Sequence, residues 1–102
     1  MTPETIRRLR TSLDAHVWQI LGSMERAFVA NQFIDKYKGI DNQTYTAALN
    51  DANASYRSVH VWVARHYLHE LERRGLITCL HRRRSCTTWG NRPTRNMLWR
   101  IV

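Results

Sequence analysis

Apolar residues near the start of the chain fall at Ile6, Leu9, Leu13, Val17, Ile20 and Met24, in steps of three and four. That spacing marks one face of an amphipathic helix, which Trp18 and Leu21 join. Thr2 is an N-capping residue, and Pro3 suits the first helical position. The stripe reads as one helix to about Met24 or as two pieces meeting near Ser12–Asp14, and Gly22 weakens its end. A second helix is expected from about Ala27 to Lys38, with Phe28, Val29, Phe33, Ile34 and Tyr37 on its apolar side and Gly39 as its stop. Residues 40–56 are rich in Asn, Asp, Ala and Thr and predict a connecting segment with a short helix around Thr44–Asn50.

A third helix is expected from Arg57 to Arg74, stopped by Gly75, with Val61, Ala64, Leu68 and Leu71 as its buried stripe. The β-branched Val59, Val61 and Val63 favour strand locally, but the stretch from Ala64 to Arg74 decides for helix. After Gly75 the period changes to two. Leu76–His81 and Met97–Val102 read as paired strands around a polar, basic tongue punctuated by Gly90-Asn91 and Pro93. The expected fold is mainly α with a C-terminal β-hairpin: three to four helices plus two strands, in a single domain over residues 1–102.

The composition sharpens this picture through charge. The chain has 102 residues, 16 of them Lys or Arg and 8 Asp or Glu, for a net charge of +8. Residues 1–56 carry six basic and six acidic groups, whereas residues 57–102 carry ten arginines and only Glu70 and Glu72. The whole excess therefore sits in the last 46 residues. Arginine, with its planar fork, suits phosphate and guanine edges, and this asymmetry is the footprint of a nucleic-acid binder. No apolar run is long enough for a membrane span. The opening Met-Thr-Pro-Glu-Thr lacks the apolar stretch of a secretory signal, and two cysteines do not make a disulfide scaffold. A cytoplasmic location is expected.

The run Tyr67-Leu68-His69-Glu70-Leu71-Glu72-Arg73-Arg74-Gly75-Leu76-Ile77, with the ending Leu98-Trp99-Arg100-Ile101, resembles the winged helix-turn-helix superfamily of DNA-binding domains. The first run looks like the end of a recognition helix entering a wing strand, and the second like the returning strand. The similarity covers about residues 14–102 and departs from the family where residues 40–56 replace a short turn. It implies a small bacterial or phage-type transcriptional regulator, associated with the nucleoid, that binds double-stranded DNA. The recognition helix would lie in the major groove and an arginine-rich wing on the backbone or minor groove.

On the helix, the residues available away from the buried stripe are Tyr56, Arg57, Ser58, His60, Trp62, Arg65 and His66. For Trp62, core packing and DNA contact are both open. On the wing they are Arg82, Arg83, Arg84, Arg92 and Arg95, with no acid between residues 73 and 102. A homodimer is expected, because one small domain makes few base contacts, and residues 2–24 are its expected dimer element. Cys79, His81 and Cys86 are zinc-ligand types, but their spacing is not that of a finger, so no metal is expected. No cofactor or small-molecule ligand is evident. The four glycines form no phosphate loop, and Glu70 and Glu72, two apart on a helix, cannot converge on one ion, so no enzyme is expected. The alternatives are an adaptor docking an acidic protein, and an RNA or replication-origin binder.

Overall fold

The computed structural model describes residues 1–51, 55–80 and 97–102. Among these residues the domain is mainly helical, with four helical rods and a small antiparallel sheet of three strands. Helix α1 spans Pro3–Gly22 without a break. Thr2 caps it, its hydroxyl accepting from the Thr5 N–H at 3.3 Å. Of its expected apolar face, Leu9, Leu13, Val17, Ile20 and Leu21 are buried, but Trp18 is 70% exposed. At 100° per residue, Trp18 stands roughly opposite the Leu9/Leu13/Val17/Ile20 stripe, so burying it would expose that stripe.

The next segment corrects the expected second helix. Ala27–Phe28 forms strand β1, and helix α2 starts only at Ala30 and runs to Ile40. Phe28 lies opposite Trp99 on the neighbouring strand, a pairing that holds these residues extended. The Gln32 side chain reaches back to accept from the Val29 N–H at 2.9 Å and marks the true helix start. Gly39 is not the stop, because α2 continues through it. Asp41 ends α2 through its own N–H to the Tyr37 carbonyl. It then starts helix α3 (Asn42–Asn50) by accepting from the Thr44 N–H at 3.1 Å. One acid thus serves both helices, and the expected short helix is present.

The last rod consists of α4 (Tyr56–Trp62), a π-helical turn (Val63–Tyr67) and α5 (Leu68–Arg73) in continuous right-handed backbone. The Leu68 N–H bonds the Val63 carbonyl, five residues back. A π turn inserts an extra residue and shifts the helix phase. Trp62, Val63 and Ala64 are consequently all buried, and Val61, expected in the stripe, is left half-buried. Gly75, at φ +80°, makes the turn out of α5, a conformation that costs glycine nothing.

Strand β2 (Ile77–Cys79) pairs antiparallel with β3 (Trp99–Ile101), and β1 pairs with the other edge of β3, giving the order β1-β3-β2. The expected two-stranded hairpin is therefore a three-stranded sheet. Its inner face offers Phe28, Ile77, Cys79 and Trp99 to the helices, and all four are buried. The chain returns alongside α5 after Gly75, since the Cys79 N–H donates to Glu72 at 2.8 Å and the Trp99 ring meets His69 edge-on at 5.1 Å.

Candidate nucleic-acid interface

The N-terminal end of α4 is built by Ser55. Its hydroxyl accepts from the Ser58 N–H at 3.2 Å and orients the first turn. That turn exposes Tyr56, Arg57 and Ser58 side by side. Arg65 and His66 are exposed two turns further on, and the i, i+4 series Arg57, Val61, Arg65 runs along one face of the rod. Two arginines and a serine hydroxyl on one helical face can hydrogen-bond phosphates or base edges.

His60 and Trp62 are placed otherwise. His60 is only 7% exposed, and its Nε2 lies 2.8 Å from the Tyr45 hydroxyl while Nδ1 lies 3.4 Å from Asn31 Oδ1. An amide oxygen only accepts, so Nδ1 carries the proton and Nε2 accepts from Tyr45. Burial, with a lesser contribution from Lys38, pushes His60 down to about 4, which keeps it neutral at pH 7. Three helices meet in this chain of bonds: Asn31 from α2, Tyr45 from α3 and His60 from α4. The Tyr56 ring rests on the imidazole with centroids 3.7 Å apart. His60 thereby supports an exposed residue that sits beside Arg57.

Trp62 packs inward at 8% exposure, with the Arg10 guanidinium of α1 over its ring at 5.6 Å. Arg10 also pairs with Glu70 at 3.4 Å. Beside it, Arg74 donates to Asp14 at 2.8 Å and to Glu70 at 3.2 Å, and the buried Tyr67 hydroxyl donates to Asp14 at 2.8 Å. Burial alone would raise the Asp14 carboxyl, but the hydrogen bonds from Arg74 and Tyr67 outweigh it and hold it below its usual range. These ties lock the rod to α1, and they neutralise Glu70 and Asp14 on this flank.

Of the seven helix residues expected from the sequence, the structure brings Tyr56, Arg57, Ser58, Arg65 and His66 to the surface and turns His60 and Trp62 inside. The wing set Arg82, Arg83, Arg84, Arg92 and Arg95, with His81 and Cys86, lies outside the described residues. Cys79 is a buried strand residue. Arg100, missed in the sequence reading, is exposed on the outer face of the sheet between Ala27 and Thr78. The alternation Trp99-Arg100-Ile101 is the signal that marks it. Among the described residues no three His, Cys, Asp or Glu side chains gather to hold a metal, and no helix is long and apolar enough to cross a membrane. Compared with protein-family models, with curated proteins and with solved structures, the chain matches none.

Proposed function

We propose that this protein is a winged helix-turn-helix domain that binds double-stranded DNA and regulates transcription, with the α4–α5 rod in a major groove. The observation that carries the reading is the segregation of charge. All eight excess positive charges lie in residues 57–102. Within that half, the rod has an arginine-bearing outer face, and the 81–96 link between β2 and β3 contributes five arginines and no acid. Supporting it is the order of elements: helix, strand, two helices, then a long rod that turns at glycine into two strands of a sheet closed by the early strand. The extra α3 between α2 and the rod is tied to the rod through Tyr45 and His60, so it need not displace the rod from the core.

In this reading Arg57, Ser58 and Arg65 contact base edges, Tyr56 contacts phosphate through its hydroxyl, and the arginines of the link grip the backbone or the adjacent minor groove. Selection from a pool of randomised duplexes tests it. Enrichment of a defined sequence, lost or altered in Arg57→Ala, is the expected result. A pool from which no duplex is enriched, together with recovery of an acidic protein on the same face, would replace DNA by a protein partner.

A further inference from the structure

The start of the rod carries an aromatic platform. The Tyr56 ring lies on the His60 imidazole with centroids 3.7 Å apart and planes 38° from parallel. One face of the tyrosine is therefore covered, yet Tyr56 remains 56% exposed, so the opposite face is open to solvent. The support beneath it is anchored. His60 is buried and held through Nε2 to the Tyr45 hydroxyl of α3 and through Nδ1 to Asn31 of α2. A flat ring with two side-chain torsions, backed in this way, has little conformational freedom left to lose when a ligand lands on it.

An exposed ring face takes another flat π system or a cation. The surroundings disfavour the cation. Arg57 follows Tyr56 in the chain, the Lys38 ammonium lies 5.2 Å from the centre of the Tyr45 ring, and together they outnumber Asp35, the acid that acts on His60. A flat ligand carrying negative charge fits instead: a nucleobase with its phosphate, which the neighbouring Arg57 and Ser58 can hydrogen-bond. In a paired duplex each base already has a neighbour on both faces and shows only its edges in the grooves. A ring face can therefore meet a base only where that base is unpaired.

We propose, resting on the DNA-binding reading, that Tyr56 backed by His60 stacks on an unpaired base, so that the protein binds duplex DNA at a bulged or extruded nucleotide more tightly than at paired sequence. The Tyr56 hydroxyl, at the edge of the ring, can still meet a phosphate.

Fluorescence anisotropy with the full chain tests it on three labelled duplexes of one sequence: fully paired, with an extra unpaired adenine, and with an abasic residue at that bulge. The adenine bulge should bind about tenfold more tightly than the abasic bulge or the paired duplex, the gain expected of one stacked base. Bending is common to the two bulges, so their difference isolates the base. Tyr56→Ala should bring the ratio of adenine-bulge to abasic-bulge affinity to about one, whereas Tyr56→Phe, which keeps the ring and drops the hydroxyl, should preserve it. The ratio compares two ligands of one variant, so a partly unfolded variant does not change it. A parent that binds the adenine and abasic bulges alike overturns the stacking proposal and leaves the DNA-binding reading standing. So does a ratio that survives Tyr56→Ala or is lost in Tyr56→Phe. Binding to none of the three duplexes overturns both.

Discussion

The buried histidine of α4 makes the acid side of the stability curve predictable. His60 has a usual pKa of 6.5 when exposed and about 4 in the fold. Between those values the unfolded chain binds a proton that the folded chain refuses. Stability therefore rises with pH across this window, is complete above about 6.5, and is lost as pH falls toward 4. At about 1.36 kcal/mol for each tenfold difference in proton affinity, the loss amounts to about 3 kcal/mol. Two charged groups act on the ring: Lys38, which pushes the imidazole further down, and Asp35, which opposes it. His69, held down by burial against Trp99, adds a loss of the same sign.

Urea unfolding at pH 7, 6, 5 and about 4.5 reads the slope, and His60→Gln isolates the contribution of this residue. Glutamine keeps polar groups facing Tyr45 and Asn31 but does not titrate. The variant should start less stable at pH 7, and its further loss on acidification should be smaller than the parent's by about 2 kcal/mol or more. An NMR titration of the His60 ring gives the folded pKa directly. A ring that titrates near 6.5, or a variant whose pH dependence equals the parent's, would refute the reasoning.

Other substitutions probe the remaining contacts. Gly75→Ala places a Cβ at φ +80° and should cost about 1–2 kcal/mol in urea unfolding, although nothing crowds the position. Asp14→Ala leaves the buried Tyr67 hydroxyl without its acceptor and should cost about 1–3 kcal/mol, whereas Tyr67→Phe, which removes the donor and leaves Asp14 to Arg74, should cost less; equal losses would mean the hydroxyl's bond is not the source. In duplex-binding titrations, replacing Arg82, Arg83 and Arg84 by Ala should weaken all duplexes alike, while Arg57→Ala should change which duplex is preferred; unaltered affinity in the triple variant would remove these three arginines from the proposed interface.

Helix α1, the short helix α3 and the long rod were legible because each carries its own local signals, a cap or a periodic apolar stripe. The sheet was only half legible. Strands β2 and β3 lie on either side of a sequence rich in polar residues, with Gly90 and Pro93, and announce each other. Strand β1 is two residues long, and only its pairing with Trp99, more than 70 residues away, makes Ala27–Phe28 extended. The π turn is invisible to a period of 3.6, and it moved Val61 outward and Trp62 inward. The same limit applies at the candidate site. Charge and helix position marked Arg57, Ser58 and Arg65 correctly as surface residues, because Arg and Ser are rarely buried. His60 has no such bias. What decides its place is the meeting of Asn31, Tyr45 and Tyr56 around one ring, which no local pattern records.

Duplex DNA as the ligand of the basic half is the central proposal, and the salt dependence of binding tests it most directly. Fluorescence anisotropy with a labelled duplex, from low to moderate salt, yields the slope of log affinity against log salt. Each phosphate neutralised contributes about −0.9, so the five arginines of the 81–96 link predict a slope of about −4.5. The full chain should show that steep fall, and replacing Arg82, Arg83 and Arg84 by Ala should flatten it by about three contacts' worth, to roughly −2. No binding to any duplex at low salt would contradict the account.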